Sequence, residues 1–275
     1  ITHHYGFIQT PIAKTVLDLI GKNAVFTIRM SRGMGKTNSL ANIFKALCEN
    51  KNGFDILIVS GTIRQARDNF DQYSADIRAS NDWRSINNGY QHKITGSTLR
   101  FGGFDRIDVR EHLRGKHPDI IFQDEAQNVR NFTKWLTVLG NMGRSKGCLF
   151  IFAGTGGYSR SNLLTQMELK IKNGTYEGIS IKKTLYDVSK EDDCDKWKKE
   201  IEKVEKQAQV IEERADGKIV ILRDHTQNPD FRREILCEDE NDETDGELAF
   251  KYFDEENIIQ GDYEIDFSRP VFVVM

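Results

Sequence analysis

The feature that most constrains this chain is an apolar run, Ala24–Met30 (AVFTIRM), that leads directly into Ser31-Arg32-Gly33-Met34-Gly35-Lys36-Thr37. The next stretch, Asn38 to Glu49, places Leu40, Ile43, Phe44 and Leu47 on one helical face. The order is therefore buried strand, glycine loop, amphipathic helix. A helix N-terminus offers unpaired backbone N–H groups and the positive end of the peptide dipoles, which together favour a phosphate. The common phosphate-loop pattern is Gly, four residues, then Gly-Lys-Ser/Thr. Gly35-Lys36-Thr37 is intact, and Met30 stands where the first glycine would be. A Gly-Lys-Thr tripeptide alone occurs by chance. Its place between strand and helix gives it meaning, with Ser31 through Asn38 lining the phosphates of ATP. Lys36 is expected to reach the β- and γ-phosphates, and the Thr37 hydroxyl to bind Mg²⁺.

Further buried runs follow at Asp55–Ser60 (DILIVS), Asp119–Gln123 (DIIFQ) and Cys148–Ala153 (CLFIFA). Between them, helices are expected at Ile63–Ile77, with Ala66, Phe70 and Tyr73 as the stripe, and at Asn131–Leu139. Lys93–Phe101 alternates as a strand or hairpin ended by Gly102-Gly103, and Pro11–Ile20 reads as a short helix with Pro11 in its first turn. Strands alternating with helices predict an α/β fold with a mostly parallel central sheet flanked by helices. The character changes near residue 187. Glu191–Asp216 is dense in Lys and Glu and predicts one helix through Trp197, Ile201, Val204, Ala208 and Ile211, followed by a strand at Lys218–Leu222. Glu238–Glu247 reads as an acidic linker, and Pro270–Met275 as a terminal apolar strand. The expected division is 1–186 core, 187–237 small lid or linker subdomain with the option of returning strands to the core, and 238–275 acidic linker and strand.

Composition narrows the classes. The net charge is −3 over 275 residues, which gives no support to a broad electrostatic grip on nucleic acid. Four cysteines, Cys48, Cys148, Cys194 and Cys237, lie too far apart for metal-ligand spacing and read as free thiols of a reducing compartment. No apolar run has the length of a membrane span and no signal peptide is visible.

Two constellations add chemistry to the loop. Ile120-Ile121-Phe122-Gln123-Asp124-Glu125 delivers two carboxylates to the end of a buried strand. Asp124 is expected to hold Mg²⁺, and Glu125 to orient or deprotonate the attacking water. The bland alternative is a surface acid pair capping the next helix. Thr155, in Gly154-Thr155-Gly156, is placed to touch the γ-phosphate and the water; an ordinary glycine turn is the alternative. A guanidinium on the transferring phosphoryl group would assist hydrolysis. Arg32 could act in cis and Arg114 in trans, with Arg106, Arg110, Arg144 and Arg160 as further candidates. Arg160, Lys170, Lys172, Lys182 and Lys183 could meet phosphates of nucleic acid or form a solvated face.

These motifs resemble the large terminase subunits of tailed bacteriophages, specifically their N-terminal motor domain. The resemblance is carried by Ser31-Arg32 opening the phosphate loop, Leu57–Ala66 (LIVSGTIRQA), Leu113-Arg114-Gly115, Asp124-Glu125-Ala126 and the Gly154-Thr155 strand end. It spans residues 9 to 155 by motif; Phe231–Leu236 with Ala249-Phe250 is similar to the family's linker, and Arg269–Met275 to the first strand of its nuclease domain. The coupling motif reads Thr-Gly-Gly where many relatives have Thr-Pro, and Gln9, the candidate adenine contact, stands about a turn earlier than the family's Gln. The resemblance implies a P-loop fold of the ASCE type and ATP- and Mg²⁺-dependent packaging of double-stranded DNA into a procapsid. It also implies a ring of subunits on the portal, working with the portal protein and the small terminase subunit. The location would be the host cell cytoplasm, away from any membrane and outside the mature virion, with the nuclease absent from this stretch of chain. Isolated subunits would hydrolyse slowly if Arg114 must come from a neighbour. Other expectations are a helicase or related translocase, or an ATP-binding switch without turnover. The first needs a second motor lobe and the second leaves Glu125 without a task.

Overall fold

The computed structural model describes residues 2–103, 117–129, 147–191, 195–213 and 219–239. Four of its strands come from the buried runs already noted, β1 (Ala24–Met30), β2 (Asp55–Ser60), β6 (Ile120–Gln123) and β7 (Leu149–Gly154), and β5 (Thr98–Gly103) comes from the alternating run at 93–101. With β3 (Trp83–Ile86), β4 (Gly89–His92) and β8 (Gly178–Lys183) they form one sheet in the order β3-β4-β5-β2-β6-β7-β1-β8. From β5 to β8 every described pairing is parallel, and β3 and β4 run antiparallel at one edge.

Alternation along each strand sends side chains to both faces of the sheet. Ile56, Ile58, Ile120, Phe122, Leu149 and Ile151 join one buried cluster, together with Ile12, Leu40 and Phe44 from the helices. Leu57, Val59, Ile121, Phe150 and Phe152 join the other, with Leu163, Leu164 and Met167. Both faces are covered, which is why the central strands read as continuous apolar runs.

The helices depart from the sequence expectation in three places. α1 (Thr2–Leu19) begins upstream and carries Pro11 in its interior. The stripe Ile8, Ile12, Val16 and Leu19 is buried, so burial on one face outweighs the lost hydrogen bond at Pro11, while Leu17 points outward. The expected helix over 63–77 is two helices, α3 (Ile63–Asp71) and α4 (Ala75–Ala79), and Tyr73 between them is exposed. Asp71 accepts hydrogen bonds from Tyr90 Oη at 2.9 Å and from Arg78 at 3.2 Å, which fixes the turn. Within the expected helix over 191–216, the described residues form a helix at Asp195–Ala208, where Trp197, Ile201, Val204 and Ala208 do face the core, and leave it by Val210. Asn228 Nδ2 donates to the Ala208 carbonyl at 3.1 Å, and the β-branched Val210-Ile211 turns to strand β9 (Val210–Glu213). β9 pairs with β10 (Ile219–Arg223) in a separate two-stranded sheet.

α2 (Lys36–Asn50) buries the expected Leu40, Ile43, Phe44 and Leu47. The run 93–101 is a turn followed by β5, and Gly102-Gly103 lie inside that strand. The expected helix 131–139 and everything after residue 239 lie outside the described residues. Cys48, Cys148 and Cys237 are buried, and Cys194 lies outside the described residues. Among the described residues no helix is long and apolar enough to cross a membrane.

Candidate functional site

The parallel strands β1, β7 and β6 end side by side, since Arg29 aligns with Gly154 and Phe152 with Gln123. In an open α/β sheet the crevice beyond the carboxyl ends of the strands is where ligands bind. One strand, β7, separates the phosphate-loop strand β1 from the acid-bearing strand β6. Thr155, just past β7, therefore stands between the loop and the acid pair.

The loop itself turns on two glycines in the left-handed region, Gly33 and Gly35, both at φ 80°. Gly35 is the N-cap of α2 at ψ 22° and makes no side-chain cap. Any other residue would be strained at either position. By helix geometry the N–H groups of Lys36, Thr37 and Asn38 have no carbonyl one turn back, so they face the crevice as donors. Lys36 is buried and Thr37 half-buried, whereas Met34 is completely buried and serves packing. Asn38 Oδ1 accepts from Asn42 at 3.3 Å.

Ser31 works inward. Its hydroxyl donates to the Ile235 carbonyl and accepts from Leu185 N at 2.8 Å. Arg32 N donates to Glu234 O at 2.8 Å, while the Arg32 guanidinium is 78% exposed with Glu234 at 3.9 Å. The C-terminal end of helix Pro229–Glu234 and the residues that follow it thus hold the loop. The same segment holds the strand end: Gly156 N donates to Arg233 O at 2.9 Å and Gly157 N to Asp239 Oδ1 at 2.7 Å. A Cβ on Gly156 would lie 2.1 Å from Glu238 O, which requires glycine there.

Asp124 is 3% exposed. Its Oδ2 accepts from Asn69 Nδ2 at 3.3 Å and its Oδ1 from Glu125 N at 3.1 Å. Burial, and next the neighbouring Glu125 carboxylate, push its carboxyl up to about 6, against the downward pull of Lys36. Lys36 and Asp124 therefore feel each other across the crevice. Glu125 takes a left-handed backbone at φ 51°, ψ 44°, a strained choice for a residue with a side chain. Its Oε2 accepts from Gln127 Nε2 at 2.5 Å, and the same Nε2 lies 3.3 Å from Thr155 Oγ1.

The described residues contain no cluster of three or more His, Cys, Asp or Glu able to cage a metal alone. A buried carboxylate that feels the charge of Lys36, whose chain neighbour Thr37 carries a hydroxyl, suits Mg²⁺ nonetheless. That ion keeps several waters and takes one or two protein oxygens plus substrate phosphates. Asp124 and Thr37 are the residues that fit it, and Lys36 with the α2 N-terminus fits a polyphosphate.

Of the residues singled out from sequence, the structure brings Lys36, Asp124, Glu125 and Thr155 to one end of the sheet. Gln9 is half-buried on α1, Arg160 is exposed, and Arg106, Arg110, Arg114 and Arg144 lie outside the described residues. Asn69, Gln127 and the Arg29–Asp239 pair were not anticipated. For Arg29 the signal was present: a charge inside an otherwise apolar strand. Gln127 directly follows the Asp124-Glu125-Ala126 motif.

Comparison with known proteins is consistent with this geometry. A family model described as terminase large subunit, T4-like-virus type, N-terminal, matches residues 27–236. No curated protein matches the chain by sequence. Among solved structures, the large terminase of bacteriophage HK97 is similar at TM-score 0.52 and 16% identity, covering 64% of this chain and 38% of that one. The large terminase of a thermophilic bacteriophage in complex with ADP is similar at TM-score 0.56 and 13% identity, covering 83% and 52%. The large terminase ATPase domain of a Thermus phage, in a form with one arginine replaced by alanine, is similar at TM-score 0.53 and 16% identity, covering 84% and 92%. The chain thus spans well under two thirds of the HK97 protein and most of the isolated ATPase domain. The shared fold is the P-loop fold of the ASCE type.

Proposed function

The chain belongs to the family of large terminase subunits of the T4-like-virus type, and from that premise we propose that it is an Mg²⁺-dependent ATP hydrolase. Its turnover would drive double-stranded DNA into a procapsid. The observation that carries the proposal is the convergence of Lys36, Asp124 and Glu125 at one end of the sheet, with Thr155 on the strand between them.

The roles follow from charge and position. Lys36 and the first N–H groups of α2 hold the β- and γ-phosphates. Thr37 and Asp124 would hold Mg²⁺, which would supply charge neutralisation on the phosphate oxygens. Glu125 takes the proton of the attacking water. Thr155 senses the γ-phosphate. Arg32, exposed at the loop, or Arg114 of a neighbouring subunit stabilises the transferring phosphoryl group, and Gln9 contacts the adenine. A ring of subunits on the portal, acting with the portal protein and small terminase subunit in the host cytoplasm, would supply the neighbour. The region 187–237 would serve as a lid or linker beside the 1–186 core, and 238–275 would lead to the nuclease.

Steady-state ATP turnover tests the site. Lys36→Ala and Glu125→Ala are each expected to lower turnover by ~100-fold or more, the scale of losing a main electrostatic or general-base contribution. Undiminished hydrolysis in both variants would sink the assignment.

A further inference from the structure

Gln127 is buried, on the short turn Ala126–Asn128 that follows the acid pair. Its Nε2 donates to Glu125 Oε2 at 2.5 Å and lies 3.3 Å from Thr155 Oγ1. One amide thus touches a side chain at the end of β6 and a side chain at the end of β7.

The arrangement is specific in three ways. The left-handed Glu125 backbone turns the chain so that Gln127, two residues on, folds back against the Glu125 carboxylate. Gly154 makes room for the amide: a Cβ there would lie 1.9 Å from Gln127 Oε1 and 3.0 Å from its Cδ. The amide also has only one acceptable orientation. Facing its oxygen to Glu125 would set two acceptors against each other, so Nε2 must point at the carboxylate. Gln127 Oε1 is left buried without a hydrogen-bond partner. A buried acceptor left unmet is unfavourable, so it persists where the rest of the contact over-determines it.

We propose that Gln127 is a positioning residue for hydrolysis. Its amide holds the Glu125 carboxylate against the Thr155 hydroxyl, so the group that activates water and the strand end beside the phosphates are set as one unit. This rests on the ATP-hydrolase reading above. Gln127 itself touches neither nucleotide nor water in this role. Its loss is therefore felt in the chemical step and not in nucleotide affinity.

The test uses the full chain with Gln127→Ala, Thr155→Val and the double variant. ATP turnover is read as kcat and KM, and affinity as equilibrium binding of a fluorescent ADP analogue. The expected result is a fall in kcat of ~10- to 100-fold for Gln127→Ala, with KM and ADP affinity within ~3-fold of wild type. The double variant is expected to lose less than the product of the two single defects, because both changes break the Gln127–Thr155 link. Turnover of Gln127→Ala equal to wild type overturns the proposal. So does a loss of ADP affinity as large as the loss of kcat, or a double variant whose defect is the product of the two. Wild type that turns over no ATP, or Glu125→Ala that turns it over normally, overturns the hydrolase reading instead and takes the role of Gln127 with it.

Discussion

Arg29 and Asp124 sit at comparable depth near the ends of strands in one sheet, 2% and 3% exposed, yet their surroundings are opposite. Arg29 is answered on every side. It donates to Glu168 at 2.9 Å, Asp239 at 2.8 Å, Thr165 Oγ1 at 2.7 Å and the Thr155 carbonyl at 3.4 Å. Burial pulls its pKa down, but the hydrogen bonds and charges of Glu168 and Asp239 outweigh it and hold the guanidinium charged. Asp239 follows the same logic: burial pushes it up, and Arg29, Thr165 and Gly157 N bring it below the usual carboxylate range. Among the described residues the Asp124 carboxylate accepts only from Asn69 and the Glu125 N–H, and the charge that acts on it most strongly is another carboxylate, Glu125. The same depth thus holds one charge that stabilises the fold and one that burdens it. A burden kept at a ligand crevice is the expected mark of a group reserved for a ligand.

The comparison breaks first at Arg29. Arg29→Ala leaves Glu168 and Asp239 facing each other without their cation, and is expected to cost about 3–5 kcal/mol of stability. Equilibrium urea unfolding measures it, and a cost below ~1 kcal/mol would mean that the network adds nothing. The three segments it joins are β1, helix Leu163–Lys172 and the stretch ending at Asp239, so the phosphate loop and the strand end should loosen with it.

The Asp124 side is sharpened by pH. Its carboxyl is raised to about 6 in the fold from an ordinary 3.8. Below the lower value both states are protonated and the group is neutral to stability. As pH rises through the window the unfolded chain ionises first, the fold binds the extra proton, and stability falls. Above about 6 the full penalty is present, on the order of 3 kcal/mol from the size of the shift. Asp124→Asn lacks it. The stability difference between variant and wild type should therefore grow from near zero at about pH 4 to a plateau above pH 6, read by unfolding across that range. A flat difference would remove the asymmetry.

How much of this was legible beforehand divides along the same line. β1, β2, β6, β7 and α2 could be read because buried parallel strands are short apolar runs and the helix has a clean stripe. Lys36, Asp124 and Glu125 could be placed because their motifs are local. The Arg29 network could not be assembled, since Asp239 lies 210 residues away and its approach depends on the whole fold. Ser31 meets Ile235 from 204 residues off in the same way. β8 was missed because an edge strand that alternates Ile with exposed polar residues carries a weak pattern. Ile211 was misread because helical spacing continues past the point where pairing with β10 decides the backbone.

The most direct test of the central claim, that Asp124 is held at a cost for a cation-bound nucleotide, is one unfolding experiment at pH 8. Wild type and Asp124→Asn are compared with and without Mg²⁺ and a slowly hydrolysed ATP analogue. Without ligand the variant should be the more stable. With ligand at ~100 times the wild-type Kd, wild type should gain about 2.7 kcal/mol and the variant much less, so the gap closes. A variant that is less stable without ligand, or that gains as much as wild type from Mg²⁺ and nucleotide, would contradict the account.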